Sequence, residues 1–349
     1  MRLTGRGSLA AGAVVALTAS LVPPAVAQGG SCFGKTPTIV GTRARDHLFG
    51  TPGDDVIDGL GSHDWIEAGA GDDTICGSDG YDDIYGGPGD DSIDGGDDLD
   101  DSWGQDGADT ILTGDAEYYR LGQDLAVGGP GDDSIDGDAG PNLLYGGPGD
   151  DVIRGHGAQF DDCDCETQFD EELHGGPGND ELTGGAIGGS NIWNQVFVPG
   201  PGDDDVDTGR LEEVPGSEDC GLLGDEPCLS MFGDRDVVRF YGSRAAVTVD
   251  LAAGTATGQG TDRIVGIDMV VGSRYDDVIS GDDTQNVILG GDGFGYDTIT
   301  GLGSNDYLIG GYGSDAIDAG AGAADEVDGG SGDDRCVAAE HRVSCEETS

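Results

Sequence analysis

From residue 41 to residue 112 the chain divides into eight blocks of nine residues with nothing left over: GTRARDHLF, GTPGDDVID, GLGSHDWIE, AGAGDDTIC, GSDGYDDIY, GGPGDDSID, GGDDLDDSW and GQDGADTIL. The sixth position is always Asp: Asp46, Asp55, Asp64, Asp73, Asp82, Asp91, Asp100 and Asp109. The eighth is Leu48, Ile57, Ile66, Ile75, Ile84 and Ile93, then Ser102 and Ile111. A fixed period of this kind marks a solenoid, in which each unit buries its apolar side chain only against its neighbours. After a six-residue insertion at 113–118 the pattern resumes as YRLGQDLAV, GGPGDDSID, GDAGPNLLY and GGPGDDVIR. Further insertions at 155–174 and 184–198 precede GGPGNDELT and PGPGDDDVD. Residues 208–271 depart from the repeat, although AAVTVDLAAGTATG and TDRIVGIDMVVG alternate apolar and polar positions as strands do and suit longer solenoid coils. A second array then runs from Gly272: GSRYDDVIS, GDDTQNVIL, DGFGYDTIT, GLGSNDYLI, GGYGSDAID and GGSGDDRCV.

Composition alone points elsewhere. The 349 residues include 70 Asp or Glu against 15 Lys or Arg, a net charge of -55, and Lys35 is the only lysine. High net charge with few aromatics ordinarily means a disordered chain, but disorder gives no reason to keep a nine-residue register. The charge argues against nucleic acid or an anionic membrane as partner and favours cations.

The pattern G-G-x-G-x-D-x-U-x resembles the nonapeptide of the RTX (hemolysin-type) calcium-binding repeat proteins. The resemblance covers most of the chain beyond the first forty residues, in two arrays. It implies an all-β fold: a parallel β-roll, or β-solenoid, of nonapeptide repeats in two arrays joined by a non-repeat β segment. In such a roll x-U-x is a short strand and the Gly-Asp turn binds calcium.

Simple geometry supports the same chemistry. Two nonads make one coil, so sixth-position Asp residues eighteen apart stack at the strand spacing of about 4.8 Å. Calcium–oxygen distances are about 2.3–2.6 Å, so an ion between two coils reaches an Asp from each, such as Asp55 with Asp73 or Asp73 with Asp91. Turn carbonyls complete the oxygen shell, and Gly lets them crowd the ion. The expected metal ligands are Asp55, Asp64, Asp73, Asp82, Asp91, Asp100, Asp109, Asp124, Asp133, Asp151, Asp180, Asp204, Asp277, Asp297, Asp306, Asp315 and Asp334. Asn142 and Asn286 stand where Asp is expected and offer an oxygen without the charge.

The expected organisation is a signal peptide at 1–27, an N-terminal cap at 28–40, a first array at 41–207 and a connector with a Cys-containing loop and β-strands at 208–271. A second array at 272–335 and a disulfide-closed tail at 336–349 complete it. Arg2 and Arg6 precede LAAGAVVALTASLV and then Ala25-Val26-Ala27, the pattern of a cleaved secretory signal, with no second apolar span. Eight cysteines suit an oxidising compartment. Cys220 with Cys228 and Cys336 with Cys345 are candidate local disulfides, Cys32 with Cys76 is a further pairing, and the partners of Cys163 and Cys165 stay open.

Other motifs dissolve on inspection. GGSCFGKT at 29–36 matches a phosphate-binding loop, but Pro37 and the Thr-Ile-Val run after it favour extended chain rather than the required helix. There is no H-E-x-x-H and no G-x-S-x-G, and the loop at Asp203, Asp205 and Asp207 has Thr208 where an EF-hand needs Gly. The expectation is a secreted, extracellular, non-enzymatic protein that binds several Ca²⁺ ions, with no nucleic-acid partner and no membrane span. Alternatives are a calcium-dependent adhesin or matrix protein with a cell-surface or polysaccharide partner, and an enzyme with an unrecognised site in 208–271.

Overall fold

The computed structural model describes residues 31–114, 123–138, 140–155, 171–185, 195–209 and 236–345. The signal-peptide expectation, Cys163, Cys165, Cys220 and Cys228 lie outside these residues. Among the described residues every regular element is a strand, and the strands form two long sheets. The first runs from Ile39–Val40 to Arg335–Val337 and the second from His47–Phe49 to His341–Val343. Outside residues 248–265 successive strands alternate between the sheets, so each coil contributes one to each, and neighbours within a sheet are parallel along most of its length. The protein is an all-β parallel β-roll.

The eighteen-residue coil sets the register. Ile57 pairs with Ile75 and Ile75 with Ile93 in the first sheet, and Ile66 pairs with Ile84 in the second. These side chains are fully buried between the sheets. Insertions do not disturb the stacking: Ile111 pairs with Ile135, Ile153 with Leu182, Leu182 with Val206 and Val206 with Ile264. A one-residue slip would turn each core residue to solvent, which explains why the chain returns to phase after every insertion. Two segments that read as insertion in the sequence supply rungs: Glu171–His174 and Gln195–Val198 continue the second sheet beside Asn142–Tyr145.

Residues 236–271 also belong to the roll. Val237–Arg239 and Met269–Val271 are consecutive rungs of the second sheet. In the first sheet Thr248–Asp250, Thr255–Thr257 and Thr261–Val265 form an antiparallel meander whose outer strands pair in parallel with Val278–Ser280 and Asp205–Asp207. The solenoid therefore runs on through the stretch that lacks nonapeptides.

Each end is tied covalently. Cys32 in the N-terminal cap bonds Cys76 of the strand Thr74–Asp79. Cys336 takes the core position under Ile317 in the last first-sheet strand and bonds Cys345. Terminal coils of a solenoid lack one neighbour, and such ties offset the missing contacts. On the outer surface of the second sheet the rings of Tyr85 and Trp103 stack at 4.5 Å and those of Tyr145 and His174 at 4.3 Å, cross-strand pairs that add to the thin core.

Because most strands bury a single large apolar side chain, core truncation is costly. Ile93→Ala is expected to lower stability in calcium by about 2–5 kcal/mol, whereas Ser92→Ala on the outer surface stays within about 0.5 kcal/mol. Urea unfolding followed by circular dichroism checks both.

Candidate metal-binding edges

The turns between the sheets line two edges of the roll. Turns leading from the second sheet into the first form a near edge, and those leading from the first into the second form a far edge. Near-edge turns include GTPGDD, GGPGDD, GQDGAD and GGSGDD, which come close to the full pattern. All four of the long insertions fall on the far edge, between Thr110–Leu112 and Asp124–Val127, Val152–Arg154 and Glu171–His174, Glu181–Thr183 and Gln195–Val198, and Asp205–Asp207 and Val237–Arg239. There Asn142, Glu171, Gln195 and Asn286 replace the sixth-position Asp.

Every Asp expected as a ligand falls in one of two columns. Asp55, Asp73, Asp91, Asp109, Asp133, Asp151, Asp180, Asp204, Asp277, Asp297, Asp315 and Asp334 lie on the near edge; Asp64, Asp82, Asp100, Asp124 and Asp306 lie on the far edge. All are buried. Within a column the carboxylates are linked through the backbone. The Asp55 amide donates to Asp73 Oδ1 at 2.7 Å, Asp73 to Asp91 and Asp91 to Asp109 at 2.8 Å, and on the far edge Asp64 to Asp82 at 2.7 Å. The link spans insertions: Asp109 donates to Asp133 Oδ1 and Asp100 to Asp124 Oδ1, both at 2.8 Å. One carboxylate oxygen per residue is thereby fixed.

The other oxygen is not satisfied. Oδ2 of Asp64, Asp73, Asp82, Asp91, Asp100, Asp109, Asp124, Asp133, Asp151, Asp180, Asp204, Asp306, Asp315 and Asp334 is buried with no hydrogen-bond partner. Burying an ionised oxygen without a partner is among the most costly arrangements in a protein, and here it recurs in coil after coil. Burial pushes the Asp91 and Asp133 carboxyls up to about 7 and Asp180 to about 8, and carboxylates in adjacent coils add to the rise. Burial lifts the far-edge carboxyls too, Asp82 to about 8 and Asp100 to about 10.

Glycine makes room beside these oxygens. A Cβ at Gly86 would collide with Asp91 Oδ2 and approach the Gly104 carbonyl oxygen to 2.9 Å. At Gly89, whose φ is +142°, it would strike the Gly71 carbonyl of the preceding coil. The space a side chain would fill is lined by carboxylate and carbonyl oxygens, a hard donor set that suits calcium. Among the described residues no three acidic, His or Cys side chains converge on one point. A cation held here would therefore take much of its shell from the main chain.

A model of RTX calcium-binding nonapeptide repeats matches residues 40–75, 49–84, 77–111, 127–158, 167–186, 264–296 and 294–324, together more than half of the chain. The chain belongs to that family. The RTX match leaves a gap between 186 and 264, where both sheets nonetheless continue. No curated protein matches the chain.

Not every position in the RTX columns is alike. Asp277 has both oxygens occupied: Oδ1 accepts from the Val247 amide at 2.7 Å and from Ser273 Oγ at 2.8 Å, and Oδ2 accepts from the Ser273 amide at 2.5 Å. Thr51 likewise donates its amide to Asp55 Oδ2 at 2.6 Å. Asp262, Asp325 and Asp236 also enter the columns; the Asp204 amide donates to Asp262 and the Asp306 amide to Asp325. Their signal in the sequence was an Asp two residues before a core aliphatic: Asp262 before Ile264, Asp325 before Val327 and Asp236 before Val238.

These environments set a pH dependence. A carboxyl whose folded-state pKa is raised binds its proton more tightly when folded. In ion-free protein its stabilising contribution is full below the ordinary value of 3.8 and is lost as pH rises through about 7. A cation competes with that proton, so cation affinity runs the other way. The calcium midpoint for folding is expected to rise about tenfold or more as pH falls from about 8 to about 6, the range spanned by Asp180 and Asp109. Calcium titrations at the two pH values check this, and a pH-independent midpoint contradicts it.

Proposed function

We propose that this RTX chain is a secreted protein that binds several calcium ions along the edges of its β-roll and folds on binding them outside the cell. The observation that carries the proposal is the repeated buried Oδ2 without a partner. Calcium, when bound, supplies the positive charge that lets these carboxylates stay ionised. The chain's own part is to hold one oxygen of each Asp through the backbone amide of the preceding coil and to leave the other free beside glycine carbonyls. Extracellular calcium-binding modules work at about 10⁻⁴–10⁻³ M, weak enough for the chain to remain unfolded before export and to set afterwards. The apolar stretch before Ala25-Val26-Ala27 and the disulfides at both ends of the roll favour the exported location.

Residues 28–349 are expected to pass from coil to strand in far-UV circular dichroism as calcium is added, and not with magnesium, which needs stricter octahedral geometry and keeps its water. Asp91→Asn retains an acceptor for the Asp73 amide but removes the charge. It is expected to raise the calcium midpoint by about tenfold, equivalent to about 1.4 kcal/mol. A chain equally folded in chelator contradicts the proposal.

A further inference from the structure

The near edge changes character at one coil. After Val237–Arg239 the chain turns through 240–247, and Val247 stands where every other near-edge turn places a carboxylate. Its amide donates to Asp277, whose two oxygens are already satisfied within the protein. The run of unpartnered oxygens that ends at Asp204 is therefore interrupted before it resumes at Asp315 on this edge.

A different surface occupies the break. A cavity of about 400 Å³ is lined by Tyr241, Val271, Ser273, Arg274, Asp292 and Phe294. Phe294 is 83% exposed, and its ring lies 5.5 Å from that of Tyr312. Tyr241, Tyr275 and Tyr296 are exposed as well, whereas the near-edge turns from 50 to 204 contain no aromatic residue. Arg244 and Arg274 are the only basic residues in near-edge turns, and neither forms an ion pair with a carboxylate among the described residues. The backbone beneath is held in place: the Tyr296 amide donates to Asp276 at 2.9 Å, and Gly293 packs so closely on the Arg274 backbone that no Cβ fits between them.

We propose that this break is a binding site for a neutral hexopyranose polysaccharide. Exposed aromatic rings clustered on a charged protein mark a contact surface, and the cavity lies within the size range of small-ligand sites, about 300–1,000 Å³. The C–H face of a pyranose ring packs on an aromatic face, the role open to Phe294 and Tyr241. The Arg274 guanidinium donates to sugar hydroxyls and the Asp292 carboxylate accepts from them, a pair suited to groups that are both donor and acceptor. Charge narrows the class. A net charge of -55 repels polyanionic glycans, while Arg274 opposes an amino-sugar polymer at the point of contact. The site goes beyond calcium binding and uses the calcium-loaded roll as its support.

Affinity gel electrophoresis tests it. Residues 28–349 in saturating calcium are run through gels containing a soluble β-glucan, a galactomannan or polygalacturonate, alongside Phe294→Ala, Arg274→Ala and, as a control many coils away on the outer surface of the second sheet, Tyr85→Ala. At least one neutral polysaccharide is expected to retard the parent protein and Tyr85→Ala. Phe294→Ala and Arg274→Ala are expected to weaken binding about tenfold or more, with unchanged calcium-induced circular dichroism. Phe294 contributes little to the core, so that variant keeps its fold. Passage through both neutral gels without retardation, retardation by polygalacturonate alone, or retardation that survives both substitutions overturns the proposal. A chain folded in chelator yet retarded by a neutral glycan overturns calcium-driven folding and leaves this site standing.

Discussion

A carboxylate oxygen buried without a partner is tolerable once in a protein, at a site that uses it. Here it is repeated along two columns, one per edge, and each column stacks its charges at the coil spacing. At a separation of about 4 Å two like charges repel by about 1 kcal/mol in water and by several times that near protein. Everything else in the roll is arranged around that constraint. The backbone amide of each Asp binds Oδ1 of the next Asp in its column, which fixes the carboxylate in place but leaves its charge unanswered. The raised proton affinity of Asp91, Asp133 and Asp180 expresses the same strain in chemical form.

The hydrophobic interior is too thin to hold the structure by itself. In most short strands one Ile, Leu or Val faces its counterparts across the sheets, and the glycines between strands are the residues that lose most freedom on ordering. Stability of this kind is built from neighbour contacts repeated along one axis, so a missing neighbour is felt most at the ends. The Cys32–Cys76 and Cys336–Cys345 bonds sit there. The outer stack of Tyr85 on Trp103 strengthens the N-terminal part of the second sheet in the same additive way.

Much of this was legible in the sequence because the repeat length is itself a coordinate. Eighteen residues make one coil, so Ile57 had to meet Ile75, and Asp73 had to stack beside Asp91. What the repeat does not encode is which edge a turn occupies, since that depends on whether a block is odd or even within its coil. The concentration of insertions and of Asn142, Glu171, Gln195 and Asn286 on the far edge emerges only when the coils are stacked. Asp262 and Asp325 lie outside the blocks that the nine-residue count picks out, although glycines precede both and the carboxylate's place is set by the core residue after it. Asp277 shows the converse: it holds the sixth position before a core Ile, but Ser273, which stands where the pattern has Gly, and the Val247 amide from a distant turn occupy its oxygens. A nonapeptide specifies a turn, and its neighbours along the axis decide whether that turn has an oxygen to offer.

Anomalous diffraction from crystals of residues 28–349 grown with a calcium-mimicking lanthanide locates the ions directly. The account predicts peaks in rows along the edges, next to Oδ2 of Asp73, Asp91, Asp109, Asp133 and Asp151, with a gap where Val247 faces Asp277. Ordered carboxylates at these positions with no peak beside them would mean that protons, not cations, neutralise the columns, and would contradict it.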